Sequence, residues 1–61
     1  MGFQLTQKEQ LLLKDQSSHE KICIEKYTNY AEQAQDPQLK QLFNQFGSQE
    51  QQHYNTINQL L

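Results

Sequence analysis

Apolar side chains recur along most of the chain at steps of three and four residues, which is the spacing of one face of an α-helix. The stripe so defined comprises Leu13, Gln16, Glu20, Cys23, Tyr27, Tyr30 and Ala34 in the first half, and Leu39, Phe43, Phe46, Glu50, His53, Ile57 and Leu60 in the second. This heptad pattern predicts two helices that pack along a common seam. Four neighbouring residues widen the stripe: Leu12, Ile24, Leu42 and Leu61. The widened face is broader than one partner helix can cover, so the pair should leave apolar surface exposed.

Local signals predict where the first helix begins and where the chain turns. Thr6-Gln7-Lys8-Glu9 has the form of a capping box, in which the side chains of Thr6 and Glu9 each accept a hydrogen bond from the other's backbone amide. Gln35-Asp36-Pro37 is the next break, because Asp36 can cap a new helix and Pro37 suits its first position.

These signals divide the chain, read as one unit over residues 1–61, into two helices and a tight turn. The first helix is predicted over about 7–34, the turn at 35–36 and the second helix over about 37–60. A turn this short makes the two helices antiparallel.

Composition supports an all-α fold. The sequence has no valine, three glycine and proline residues in total and thirteen glutamines, a composition that disfavours β-strands. A chain of 61 residues with 34% hydrophobic residues has little material for a core of its own. We therefore expect two hairpins to pair as a homodimer, or as a higher homo-oligomer, with an antiparallel four-helix bundle as the unit.

Charge and cysteine content exclude several classes of function. Five lysines, no arginine and seven acidic residues give a net charge of -2, so no basic stripe is present and a nucleic-acid partner is not expected. Leu11-Leu12-Leu13 is flanked by Gln10 and Lys14, too short an apolar run for a signal peptide or a membrane span. A single cysteine cannot form an internal disulfide, and this favours an intracellular location.

Three ionisable residues interrupt the apolar stripe: Glu20 on the first helix, and Glu50 and His53 three residues apart on the second. Glu20 precedes Asp36 by sixteen residues, and Glu50 and His53 follow it by fourteen and seventeen. At 1.5 Å per residue these side chains lie about 24, 21 and 26 Å from the turn. The spacing therefore predicts one polar layer inside the hairpin.

In the predicted dimer this layer would hold four carboxylates and two imidazoles. Unpaired buried charges cost several kcal/mol each, so something must compensate them. Two divalent cations would balance four carboxylates, and neutral imidazoles would complete the coordination. A purely structural polar layer is the alternative.

One Glu on one helix and Glu-x-x-His on the next, duplicated by a partner, resembles the ferritin-like superfamily, in particular its half-sized members in which a two-helix chain dimerises. The chain also resembles the spore coat protein F family, through Leu5-Thr6-Gln7-Lys8-Glu9 and Asp36-Pro37-Gln38-Leu39-Lys40. The resemblance extends over about residues 5–61.

The ferritin-like resemblance implies two divalent metal ions per dimer, with Glu50 bridging both, Glu20 binding one terminally and His53 binding through one ring nitrogen. Iron is the implied metal, with manganese or zinc as other occupants. The implied reaction is oxidation of ferrous iron or reduction of peroxide, which would make the protein a di-iron oxidase or peroxidase.

Three residues near this layer are candidates for supporting roles, each beside a simpler interpretation. Gln16 could hold the second ring nitrogen of His53 or be an ordinary amide satisfied by water. Cys23 could supply a thiolate or be a small buried hydrophobic residue. Tyr27 could relay electrons or be a core aromatic that packs against the second helix near the turn. His19, beside Glu20 in sequence, is expected on a solvated face.

Two other functions fit the same pattern. A structural assembly module, for instance of a spore coat, would use the glutamine-rich surface and the apolar stripe without a catalytic metal. A regulatory hairpin would use the open stripe to dock a helix of another protein. The chain ends at Leu60-Leu61 without a capping residue, so it can also be a fragment of a longer protein.

Overall fold

The computed structural model describes residues 4–61, so the first three residues of the predicted unit lie outside it. Two helices, α1 (Gln7–Gln33) and α2 (Pro37–Leu60), pack against each other as an antiparallel hairpin. The prediction of an all-α hairpin is confirmed. The first helix ends one residue earlier than predicted, because Ala34 already has extended backbone angles and its amide closes the helix on the Tyr30 carbonyl at 2.9 Å.

The capping box at the start of α1 forms as predicted. The Thr6 hydroxyl oxygen accepts a hydrogen bond from the Glu9 amide at 3.1 Å, and Glu9 Oε1 accepts one from the Thr6 amide at 2.9 Å. The backbone bond from Thr6, assisted by its side chain, holds the pKa of the Glu9 carboxyl below its ordinary value. Two amides that the helix leaves unpaired are thereby satisfied.

The turn also forms as its sequence indicates. Asp36 Oδ1 accepts hydrogen bonds from the amides of Gln38 at 2.8 Å and Leu39 at 3.1 Å. Pro37 occupies the first turn of α2, where its missing amide costs no hydrogen bond. The cap therefore starts α2 directly after the turn and sets its register against α1.

Aromatic rings fill the space between the helices near the turn. Tyr27 lies 5.5 Å from Phe46 and 6.5 Å from Phe43, ring centre to ring centre, and Tyr30 lies 5.3 Å from Phe43. A methyl group added at Gly47 would lie 3.7 Å from Tyr27 Cβ, an ordinary contact distance. In this aromatic cluster (Tyr27, Tyr30, Phe43 and Phe46) both tyrosines of α1 contact phenylalanine rings of α2.

The contact between the helices runs to one side of the predicted seam. Four seam residues are exposed: Gln16, Tyr30, Leu39 and His53. Ala31, which the predicted seam left out, is buried. Among residues 4–61 only Ala31 and Glu20 are buried. The predicted seam follows one edge of the wide apolar face of α1. The second helix, α2, instead lies against the side of α1 that carries Ile24 and Ala31.

The hairpin consequently has two unlike broad faces. Ser17 and Asn58 share a hydrogen bond of 3.1 Å on one of them, whose polar character is set by Ser17, Thr28, Lys40, Asn44 and Asn58, here called the polar face. At 100° per residue the opposite side of both helices carries Leu12, Cys23, Tyr30, Leu42 and Leu60, here called the open apolar face. Apolar grooves at both ends of the molecule open on that face.

Neither helix of residues 4–61 is both long enough and apolar enough to cross a membrane.

Candidate metal centre

The middle of the hairpin brings Glu20, Glu50 and His53 together, as the spacing predicted. Each offers one ligand atom, and these three atoms all lie within 4.8 Å of one another. Glu50 and His53 are three residues apart on α2 and so project from the same side of that helix, toward Glu20 on α1.

The distances within this group leave room for an ion. His53 Nδ1 lies 3.7 Å from Glu50 Oε2 and 3.9 Å from Glu20 Oε2. Both distances are too long for hydrogen bonds. A cation bound at about 2.0–2.2 Å holds neighbouring oxygen and nitrogen ligands about 3.0–3.4 Å apart. Side-chain shifts of less than an ångström would close the group around such a cation.

Exposure increases steadily across the group. The Glu20 side chain is 9% exposed, Glu50 is 24% exposed and His53 is 61% exposed. The site is therefore anchored between the helices at Glu20 and opens outward past His53. His53 lies toward the open apolar face, because it is three residues from Glu50 on the same side of α2 as Leu42 and Leu60.

Glu20 is a buried carboxylate with only one of its oxygens engaged. Gln16 Nε2 donates a hydrogen bond of 2.8 Å to Glu20 Oε1. Within residues 4–61 nothing donates to Glu20 Oε2, which is fully buried. A buried carboxylate oxygen without a donor is costly, so its position beside Glu50 and His53 marks the place where a positive group belongs.

Gln16 makes a contact that neither of its two sequence interpretations named. A bond to the second ring nitrogen of His53 and satisfaction by water were the alternatives, and the amide donates to Glu20, one turn along its own helix. A glutamine and a glutamate four residues apart lie one above the other on a helix, so the Gln16 amide reaches the Glu20 carboxylate on its own helix. The same i, i+4 spacing is visible in the sequence and places the Glu20 carboxylate within reach of this amide.

The two other candidates for supporting roles lie as follows. Cys23 is half-buried, and its Sγ lies 3.7 Å from Nε2 of His19, one turn back on α1. His19 is exposed, as expected. Tyr27 packs in the aromatic cluster toward the turn. The roles of Cys23 and Tyr27 beside a metal stay predictions.

The donor set fits a hard or borderline divalent cation. Two carboxylates and one imidazole supply oxygen and nitrogen ligands, which suit iron, manganese and zinc. Three protein ligands leave further coordination positions for a second carboxylate group, water or substrate. One hairpin thus presents half of the ligand set that a two-metal carboxylate site requires.

Comparison with known proteins agrees with this geometry. The family model described as Rubrerythrin matches residues 5–61, and this confirms the expected membership of the ferritin-like superfamily. No curated protein and no solved structure matches the chain. The resemblance to spore coat protein F stays a prediction. The match covers nearly the whole chain and includes every member of the Glu20, Glu50 and His53 group, so the chain belongs to the rubrerythrin family.

Proposed function

We propose that the protein binds metal through Glu20, Glu50 and His53, and that two copies pair to complete a carboxylate-bridged site for two ions. The observation that carries this proposal is the fully buried Oε2 of Glu20, which has no donor among residues 4–61 and lies 3.9 Å from the imidazole nitrogen of His53. A divalent cation at that point would bind the orphaned oxygen and draw in the two neighbouring ligands.

Each residue has a distinct role in this site. Glu20, the most buried, would hold an ion from between the helices. Glu50, which lies between Glu20 and the open side, would be the second carboxylate that holds the ions. His53 would bind through Nδ1, the ring nitrogen nearest to both carboxylates. The same residues of a second copy would supply the other half.

The shape of the hairpin supports pairing through the open apolar face. The Cα extents are 45 × 18 × 9 Å, so the molecule is a slab one helix thick with two broad faces. Pairing would cover Leu12, Tyr30 and Leu42, all exposed in the single hairpin, and would enclose the open side of the site.

Iron is the metal we propose, with manganese and zinc as competitors. A pair of iron ions supplies the electrons for reducing dioxygen or peroxide. The protein's part is to hold the ions through Glu20, Glu50 and His53, and to shield them from water by pairing. Oxidation of ferrous iron or reduction of peroxide is the activity that follows.

The proposal is tested by measuring metal content and mass together. Protein purified without chelator, or loaded with ferrous iron under anaerobic conditions, should contain about two metals per dimer. Glu50→Gln and His53→Ala should each lose most of this metal, and oxygen or peroxide consumption with it. His19→Ala is the matched control, because His19 is also an exposed histidine on the hairpin but lies outside the ligand group. A wild-type protein that takes up no ferrous iron contradicts the proposal.

A second candidate function is structural assembly, for instance in a spore coat. Leu11 and Ile22 are exposed on the side of α1 that points away from α2, where pairing through the open apolar face would not cover them. Contacts through these residues could join dimers into larger arrays. If Glu50→Ala combined with His53→Ala leaves large assemblies intact while Leu11→Lys disperses them, assembly is a separate function of the chain.

A further inference from the structure

We infer that Gln16 is a positioning residue that presents Glu20 to the metal through a single oxygen. The inference rests on the proposed metal site and adds a residue that binds no metal itself. Its basis is that the two oxygens of Glu20 have different neighbours. Gln16 Nε2 holds Oε1 at 2.8 Å, and Oε2 alone lies toward Glu50 and His53.

The bond from Gln16 limits how Glu20 can bind. A carboxylate that binds a cation through both oxygens must direct both toward the same point. With Oε1 drawn back along α1 by Gln16, only Oε2 remains available, and binding through one oxygen follows. The bond also fixes the rotation of the carboxylate group before any metal arrives, so less conformational freedom is lost on binding.

An amide is suited to this task because it is neutral. A lysine or arginine at position 16 would donate to Glu20 as well, but its positive charge would oppose the cation. A glutamate there would add a third carboxylate to the group and compete for the ion. Glutamine supplies a donor without either effect, and its reach of one helical turn places the donor on the outer side of Glu20.

The chain also contains a matched glutamine pair with no relation to the site. Gln51 Nε2 donates to Asn55 Oδ1 at 3.0 Å, again across four residues, but on an exposed helix surface. Gln51 follows Glu50 in sequence but is rotated by about 100° from it, away from the ligand group. Removing the donor from Gln51 therefore reports the effect of losing an ordinary surface pair.

The test compares Gln16→Met with Gln51→Met, because methionine keeps the length and helix propensity of glutamine and removes the donor. Manganese and zinc binding is measured by titration calorimetry. Infrared difference spectra with and without zinc report the carboxylate stretches, and Glu20→Gln identifies the bands that belong to Glu20. Circular dichroism of the metal-free proteins checks that both variants fold.

We expect Gln16→Met to weaken manganese binding about 10-fold or more, the usual effect of removing a group that orients a ligand. The separation of the symmetric and antisymmetric stretches of Glu20 should move from the one-oxygen value toward the two-oxygen value. Gln51→Met should leave both readings at their wild-type values.

Three other outcomes would overturn the positioning role of Gln16. Wild-type protein that binds manganese and zinc, with Gln16→Met giving the same affinity and the same stretches, overturns the positioning role but leaves the metal site standing. Equal weakening by Gln16→Met and Gln51→Met also overturns it, because a general loss of helix stability then explains the result. Wild-type protein that binds neither metal overturns the metal site and the positioning role together.

Discussion

The Glu20 carboxylate is buried between the two helices, and its Oε2 receives no hydrogen bond from residues 4–61. Such a group destabilises the metal-free protein, because no hydrogen bond to Oε2 compensates for the desolvation of the carboxylate. We expect Glu20→Met to raise the free energy of unfolding of the metal-free protein by about 1–3 kcal/mol. The same variant should lose the increase in melting temperature that manganese gives the wild type. Thermal unfolding with and without manganese measures both effects.

Glu25→Met is the control for this prediction, because Glu25 is an exposed glutamate on the same helix. It should change the stability of the metal-free protein little and should keep the response to manganese. A Glu20→Met protein that is less stable than wild type without metal would show that the buried carboxylate is already compensated.

At the scale of single residues, the sequence predicts proximity better than contacts. Glu20, Glu50 and His53 lie together because helical rise and rotation fix their heights and directions, and both follow from residue numbers alone. The partner of Gln16 depends on a choice between two acceptors within reach of one flexible side chain. Spacing does not rank such acceptors, so the bond from Gln16 to Glu20 is known only from the structure.

At the scale of the elements, the cap of α1 makes stability depend on pH. The hydrogen bonds from Thr6 lower the pKa of Glu9 in the folded protein. Their contribution is therefore complete above the ordinary pKa of 4.5 and is lost as the pH falls through the lower, folded value. Glu9→Gln keeps the geometry of the capping box without the charge. We expect its melting temperature to fall below that of the wild type at pH 7 and to approach it as the pH falls below 4.5.

A melting temperature difference between Glu9→Gln and wild type that stays constant from pH 7 to below pH 4.5 would contradict a role of the Glu9 charge. Glu32→Gln serves as the control, because Glu32 is an exposed glutamate in the last turn of α1, away from the capped end. It should show no loss of stability at pH 7, since a negative charge at that end of the helix is unfavourable.

Gly47 offers a second prediction for α2. Glycine within a helix costs about 1 kcal/mol relative to alanine, and a methyl group here would meet Tyr27 Cβ at an ordinary 3.7 Å. Gly47→Ala should therefore raise the free energy of unfolding by up to about 1 kcal/mol. Chemical denaturation measures the change, and Gly47→Leu should instead destabilise, because its larger side chain must displace Tyr27. A destabilised Gly47→Ala would show that the helices are packed more tightly there than the distance indicates.

Helix ends could be predicted almost to the residue, whereas the packed side of each helix could not. Caps depend on a few adjacent residues such as Thr6 and Asp36, and their hydrogen bonds form locally. The packed side depends on which part of a wide apolar face the neighbour covers. The predicted seam included Tyr30 and left out Ala31, whereas in the structure Ala31 is buried and Tyr30 is exposed.

At the scale of the whole molecule, two exposed apolar residues on different sides of the hairpin distinguish pairing through the open apolar face from nonspecific association. Leu42 is 41% exposed and lies on the open apolar face, while Ile22 is 61% exposed on the outer side of α1. If a second copy covers the open apolar face, Leu42→Glu places a charge in the interface, and burying it without a partner costs several kcal/mol. We expect Leu42→Glu to be monomeric by sedimentation at concentrations where the wild type is dimeric.

The same variant connects pairing to metal binding. A monomer retains Glu20, Glu50 and His53 but lacks the second half of the ligand set, so Leu42→Glu should bind metal more weakly and should lose the ratio of two ions per two chains. Ile22→Glu should keep both the dimer and its metal, although it is the more exposed residue and tolerates the charge more easily. A Leu42→Glu protein that remains dimeric with full metal content would show that the two copies meet through another surface. Because Leu42 lies outside the ligand group, a folded variant that loses the dimer and its metal together links metal binding to the pairing of the hairpins.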